Sequence, residues 1–248
     1  TFTQLGVSPE LVKGIEEKGI VEPTEIQELA IPFLLKDGGD FVGLAQTGTG
    51  KTAAYGLPLL EKIDAADKRI QGLVLAPTRE LAKQIAKQLF HYTKYADKIF
   101  SEVVAGGEKM EQQIAALQRP THIVVATPGR LIELLKKRAL DLSSIRVLIL
   151  DEADEMLSMG FREDIDAILE HTRGSRKTWL FSATMPKGVR RIISEYMSPS
   201  AHSVQIDKRN PVNKNIEHRY VICKIEEKPD EIARFIHAQK GDSGVVFC

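Results

Sequence analysis

Residues 41–52 read F-V-G-L-A-Q-T-G-T-G-K-T, a short apolar run emptying into a glycine-rich turn that ends in Lys-Thr. An apolar run of this length without alternation reads as a strand buried on both faces, which implies a parallel sheet covered by helices. Gly48 and Gly50 allow the backbone to curl so that successive amides, from Gln46, Thr47 and Thr49 onward, point inward around phosphate oxygens. A helix opening near Gly50 adds the positive end of its dipole. Lys51 then supplies a mobile charge for the β- and γ-phosphates, and the Thr52 hydroxyl is placed to ligate Mg²⁺. Ala45 stands where the stricter phosphate-loop pattern has its first glycine.

The same strand signature recurs outward from this stretch, at Leu73–Ala76, Val103–Ala105, Ile123–Ala126, Val147–Leu150 and Trp179–Phe181. Between these runs, Thr78–Tyr92 and Arg130–Leu140 carry helical apolar spacing, and Pro186 suits a first helical turn. Each run ends in small or charged residues: PTREL after Ala76, Gly106–Gly107 after Ala105, TPGR after Ala126, DEAD after Leu150 and SAT after Phe181. In a parallel sheet all strand C-termini share one edge, where open α/β sheets bind ligands. Six chemically loaded loops are therefore expected to converge on one surface.

The second half of a phosphate site requires a carboxylate at another strand end, and Asp151 follows R-V-L-I-L as required. One carboxylate there can hold the metal directly or through water. Glu152 is free to orient and deprotonate an attacking water. Lys51, Asp151 and Glu152 are thus the catalytic candidates, with Thr52 and Asp151 as metal ligands. Mg²⁺ with ATP or GTP follows from these residues alone, and the nucleobase stays open at this point. Ser182 and Thr184 are two hydroxyls at the sixth strand end, able to hydrogen-bond neighbouring carboxylates such as Asp154.

Composition narrows the setting. The 248 residues are 43% hydrophobic and 27% charged, enough to bury a core and contrary to disorder as the main state. Lys+Arg and Asp+Glu both number 34, so any nucleic-acid site must be local rather than a global basic field. Cys223 and Cys248 make no disulfide framework and suit a reducing cytoplasm. No apolar run is long enough to span a bilayer, so no membrane role is expected. The charge clusters Lys136–Arg138 and Arg173–Lys177 read as solvated faces, and Trp179 reads as core.

With these motifs in place the chain resembles the first domain of the DEAD-box RNA helicases, ATP-dependent enzymes with two RecA-like domains. The resemblance runs from Phe2 to about Ala201 and resumes weakly in the C-terminal piece. It implies a RecA-like α/β fold, a parallel sheet with helices on both faces, plus a short incomplete β-α-β tail. In that family G-x-x-x-P-T-x-I-Q recognises adenine, and Gly19–Gln27 here reads GIVEPTEIQ. The resemblance thereby selects ATP: Gln27 reads the adenine edge, Pro23 and Thr24 shape the pocket, and Phe2 matches the family's isolated upstream aromatic. Ile20 departs from the pattern, standing where an aromatic commonly supports the base. Pro77, Thr78 and Arg79, the pair Gly106–Gly107, and Thr127, Pro128, Gly129 and Arg130 match the RNA-contacting motifs. Asp154, Ser182 and Thr184 match the motif that couples nucleotide state to RNA. Such contacts hold single-stranded or duplex RNA by its sugar-phosphate backbone without reading sequence. From the residues themselves, Arg79 and Arg130 can equally pair with helix carboxylates, and Arg79 with part of the DEAD loop.

Organisation follows. Residues 1–206 are expected to form the ATP-binding domain, opened by two short helices with Ser8 and Thr24 as N-caps. Residues 207–215, DKRNPVNKN, read as a linker. Residues 216–248 read as the start of a second RecA-like domain, with strands at His218–Lys224 and Gly244–Cys248 around a helix at Pro229–Gln239. The chain lacks an initiator Met and ends inside an expected strand, as a piece of something longer would. The resemblance places a catalytic arginine in a late motif of the second domain. The chain ends before it, so it is expected to bind Mg²⁺–ATP or ADP and part of an RNA strand while hydrolysing very slowly and unwinding nothing alone. A DNA-directed phosphate-loop remodeller and a nucleotide-gated RNA clamp are the alternatives.

Overall fold

The computed structural model describes residues 1–36, 38–172, 174, 176–206, 220–238 and 244–246. The chain forms two compact units, Thr1–Ile206 and Asp207–Cys248. In the first, the elements run α1 (Pro9–Glu16), α2 (Glu25–Leu35), β1 (Phe41–Leu44), α3 (Lys51–Glu61), β2 (Gly72–Leu75), α4 (Arg79–Tyr92), β3 (Ser101–Val104), α5 (Met110–Leu117), β4 (Ile123–Ala126), α6 (Pro128–Lys136), β5 (Val147–Leu150), α7 (Ala153–Ser158), α8 (Arg162–His171), β6 (Lys177–Ser182), α9 (Lys187–Tyr196) and β7 (His202–Gln205).

All strand pairings are parallel, in the order β3-β4-β2-β5-β6-β1-β7. Alternation along each strand sends neighbouring side chains to opposite faces. Phe41, Val74, Ile149 and Phe181 join one core with residues of α1–α4. Val42, Leu73, Leu75, Leu148 and Leu150 join the other with residues of α6–α9. Both faces of β2, β4 and β5 are buried, which is why these strands read as unbroken apolar runs. Trp179 is core as expected.

Some boundaries move for local reasons. The helix expected over Arg130–Leu140 starts at Pro128 and stops at Lys136. Arg138 takes φ 54°, and the amides of Arg138 and Ala139 return to the carbonyls of Leu135 and Leu134, a left-handed stop. Ser8 takes the N-cap position of α1 without a side-chain cap bond. Arg176 is no solvated charge: it donates to the Thr172 hydroxyl (2.9 Å), the Leu169 carbonyl (3.1 Å) and the Thr178 hydroxyl. The seventh strand, β7, is not among the runs expected from the sequence. It is an edge strand with an exposed His-Ser start, so it lacks the doubly buried signature.

The second unit, where described, holds a 3₁₀ turn at Ile225–Glu227 and helix α10 (Lys228–Ala238). The strand expectation at His218–Lys224 is corrected for Tyr220–Lys224, which form no strand; His218 and Arg219 lie outside the described residues. Gly244–Val246 form none either, and Phe247 and Cys248 lie outside. A strand exists only through a hydrogen-bonded neighbour, and the described residues of this unit contain no strand. The linker expectation at 207–215 also falls outside the described residues. Among the described residues no helix is long and apolar enough to cross a membrane.

Candidate functional site

The C-terminal edge of the sheet gathers the loops that follow β1, β2, β3, β4, β5 and β6. Parallel register fixes this: Leu44 pairs with Ser182, Leu75 with both Ala126 and Leu150, and Val104 with Ala126. At β1 the outgoing helix α3 packs in one core, while at its neighbour β6 the outgoing helix α9 packs in the other. Adjacent strands whose helices leave to opposite faces open a crevice between their ends.

The loop after β1 leaves from this edge. Gly48 and Gly50 both have positive φ, 83° and 88°. The backbone conformation requires glycine at Gly50, and a Cβ there, 2.4 Å from Gln27 Nε2, would push that amide aside. Gln27 clamps this loop: its Nε2 donates to the Gly50 carbonyl (3.0 Å) and its Oε1 accepts from the Thr24 amide (2.9 Å). The Thr24 hydroxyl donates to the Thr49 carbonyl (2.8 Å), and the Thr49 hydroxyl to the Gln46 carbonyl (2.7 Å). Gln27 is 2% exposed, so it is committed here and not an ordinary surface glutamine.

Lys51 is the first residue of α3 and is 6% exposed. Its Nζ is buried and has no hydrogen-bond acceptor among the described residues. A buried ammonium without a hydrogen-bond acceptor is costly. Asp151, at the end of β5, is 2% exposed; its Oδ2 accepts from the Tyr55 hydroxyl (2.8 Å) and its Oδ1 from the Glu152 amide (3.0 Å). Burial pushes the Asp151 carboxyl up to about 6, with the Lys51 charge and the Tyr55 hydrogen bond opposing. The Tyr55 phenol is held well above its ordinary range, by burial first and then by Asp151. Lys51 and Asp151, one hundred positions apart, are thus linked through α3, whose Tyr55 holds the Asp151 carboxylate while the Lys51 charge opposes its upward shift.

Glu152 adopts left-handed backbone angles, φ 51° and ψ 51°. That conformation costs a non-glycine residue about 1–2 kcal/mol and separates the direction of Glu152 from that of Asp151. Its Oε1 receives the Thr47 hydroxyl at 3.4 Å, facing the phosphate loop. Asp154 faces the end of β6 instead. Its Oδ2 accepts from the Thr184 hydroxyl (2.6 Å) and amide (2.9 Å), and its own amide donates to Ser182 Oγ (3.3 Å). Burial raises this carboxyl, but the Thr184, Ser182 and backbone hydrogen bonds outweigh it and hold it below the ordinary range.

A second group sits along the ends of β2, β3 and β4. Thr78 caps α4, accepting from the Leu81 amide (3.2 Å). Pro128 opens α6 behind Thr127. Gly106 and Gly107 are exposed. Arg79 ion-pairs with Glu108 (3.4 Å), not with the DEAD loop, because the loop after β3 stands beside it. Arg130 donates to the Glu108 carbonyl (3.1 Å) and to Gln113 Oε1 (3.3 Å), and its Nε lies 2.9 Å from Glu133 Oε2. Gly129 is half-buried, and a Cβ there would stand 3.7 Å from Asp164 Oδ2.

Phe2 behaves differently from the rest. It is 1% exposed and packed in the core of α1–α4, so the structure gives its ring a packing role. Sequence reasoning missed Tyr55, Glu108 and Gln113. Tyr55 had a signal, lying one helical turn after Lys51; Gln113 had none short of its burial.

The DEAD/DEAH box helicase family model matches residues 24–192. The chain belongs to that family. It is 46% identical over 246 residues to the DEAD-box ATP-dependent RNA helicase CshA of Streptococcus pneumoniae, covering 99% of this chain and 46% of that protein. The CshA of Bacillus cereus is 41% identical over 247 residues, covering 100% and 46%. Among solved structures, a DEAD box protein from Methanococcus jannaschii aligns with TM-score 0.79 and 35% identity, over 100% of this chain and 66% of that one. Saccharomyces cerevisiae Dbp5 L327V, bound to RNA and ADP BeF3, aligns with TM-score 0.75 and 31% identity, over 84% and 52%. The parallel sheet is thus the RecA-like α/β fold of DEAD-box helicases. The chain spans about half the length of the curated relatives it matches.

Proposed function

We propose that this chain is the nucleotide-binding half of a cytoplasmic, ATP-dependent RNA-remodelling enzyme. The observation that carries the reading is the buried Lys51 ammonium, which has no acceptor among the described residues and stands one helical turn before Tyr55, the hydrogen-bond donor to Asp151. A phosphate chain laid along the amides of Thr47–Thr52 would give that charge its partner.

The residues also suit Mg²⁺. Among the described residues no cluster of three His, Cys, Asp or Glu could hold a metal. One carboxylate, one hydroxyl and substrate phosphates, however, are the hard oxygen set that Mg²⁺ prefers. Thr52 and Asp151 would hold it, and when bound it neutralises charge on the phosphates. Gln27 and Thr24 set the entrance of the phosphate loop; Gln27 reads the adenine edge, in a pocket that Pro23 and Thr24 shape. Glu152, turned toward Thr47, orients and deprotonates the attacking water. Asp154 ties the same loop to Ser182 and Thr184, so a shift at Glu152 is transmitted to the end of β6.

Arg79, Arg130, the glycine pair and the N-termini of α4 and α6 form the RNA face, gripping the sugar-phosphate backbone irrespective of sequence. Residues 207–248 belong, on this reading, to the start of a second RecA-like domain. The test is single-turnover ATP hydrolysis with and without RNA, for these 248 residues and for the longer protein. RNA should stimulate the longer protein strongly and this chain barely. Strong RNA-stimulated turnover by this chain alone would overturn the division of labour.

A further inference from the structure

We infer that Glu108 is a built-in competitor for RNA phosphate, its carboxylate occupying in the free protein Arg79, a cation that an RNA backbone must take, together with the neighbouring Lys83. The inference rests on the reading of Arg79 and Arg130 as RNA contacts. Glu108 Oε1 lies 2.7 Å from Lys83 Nζ and 3.4 Å from Arg79 Nη2, while its carbonyl accepts from Arg130 Nη1 (3.1 Å). The carboxylate therefore engages two cations on the helix that follows β2, and the main-chain carbonyl a third on the helix that follows β4.

The loop is built to hold it there. Gly107 has φ +83°, and a Cβ at that position would fall 2.5 Å from Arg79 Nη1, so the guanidinium lies directly against loop backbone. Gln113, 5% exposed on α5, donates to the Ala105 carbonyl (2.7 Å) and accepts from Arg130 (3.3 Å). The loop carrying Glu108 is thereby fixed at both the β3 end and the α5 end.

A carboxylate and a phosphodiester offer an arginine fork the same pair of acceptor oxygens. Arg79 cannot satisfy both fully, and a carboxylate left beside a bound phosphate repels it. The pair is half-exposed, with side-chain exposures of 36% and 39%, so it is weak enough to be displaced. RNA binding is then an exchange of one anion for another, with Glu108 setting its threshold.

The test is fluorescence anisotropy of a labelled oligouridylate titrated with the full chain over a series of KCl concentrations. Glu108→Gln keeps the shape and removes the charge. It should bind about two- to fivefold more tightly than wild type at low salt, as expected for removing a competing surface pair. Its plot of log affinity against log salt should steepen by about 0.7 for each further phosphate neutralised. Glu108→Ala should show the same tighter binding, and the effect should vanish in an Arg79→Ala/Lys83→Ala background. Unchanged or weaker binding by Glu108→Gln, with Arg79→Ala still weakening binding, would overturn the inference and leave the RNA face standing. Wild-type binding by both Arg79→Ala and Arg130→Ala would overturn the RNA face and the inference with it.

Discussion

The Tyr55 hydroxyl donates to Asp151 Oδ2 across 2.8 Å, joining the helix that begins at Lys51 to the strand end that carries the DEAD sequence. Both partners are fully buried, so the bond works in a medium where water offers no substitute. It fixes where the carboxylate points before any ligand arrives.

Tyr55→Phe removes that donor and leaves a buried carboxylate short of one hydrogen bond. A bond to a charged group contributes about 1.5–3 kcal/mol. Denaturant unfolding should show a loss of that order, and Mg²⁺–ADP affinity should fall several-fold because Asp151 loses its orientation.

Asp151 also predicts a pH dependence. Its carboxyl sits near 6 in the fold, above its ordinary value of 3.8. A raised carboxyl favours the folded state only while protonated, so its contribution is fully present below about pH 3.8 and is lost as pH rises through about 6. Asp151→Asn is insensitive to this. The difference in Tm between Asp151→Asn and wild type, both nucleotide-free, should therefore shift in favour of the variant between pH 4 and about 6.5, then level off. A difference that stays flat over that range would remove the raised carboxyl from the account.

Much of this was legible in the chain itself. The strands with both faces buried carry unbroken apolar runs, and the loops after them carry the chemistry, because parallel topology separates the two ends of each strand. What was hidden depended on neighbours distant in sequence. β7 borrows its identity from β1, since His202 and Ser203 carry no strand signal of their own. Arg79 was readable as a cation, but its partner Glu108 lies beyond β3, 29 positions on, and only the sheet order brings them together. The tail strands failed for the opposite reason: apolar letters at Tyr220–Cys223 are there, and a described pairing partner is not.

Gly50→Ala places a Cβ both into a left-handed conformation and onto Gln27 Nε2. Backbone strain of about 1–2 kcal/mol is expected, together with loss of the Gln27 clamp. Nucleotide affinity should fall at least tenfold while the far-UV circular dichroism spectrum is unchanged. Gln27→Ala should lose affinity for adenine nucleotides with a smaller stability cost, measured in the same titration.

Asp154→Asn tests the tie between β5 and β6. Thr184 donates to Asp154 Oδ2 through both its hydroxyl and its amide while the Ala183 amide faces Oδ1, and an asparagine, neutral and with one acceptor oxygen, cannot serve both sides. In the longer protein, RNA-stimulated ATP hydrolysis should drop at least tenfold with ADP affinity within about threefold of wild type. Equal losses in both would place Asp154 in nucleotide binding instead of coupling.

The central claim is that the buried ammonium of Lys51 awaits phosphate, and calorimetric titration of the chain with Mg²⁺–ADP, for wild type and Lys51→Ala, tests it most directly. The account predicts saturable one-to-one binding by wild type and at least a tenfold weaker Kd for Lys51→Ala. Equal affinity in the two proteins, or no heat of binding in wild type while the fold is intact, would contradict it.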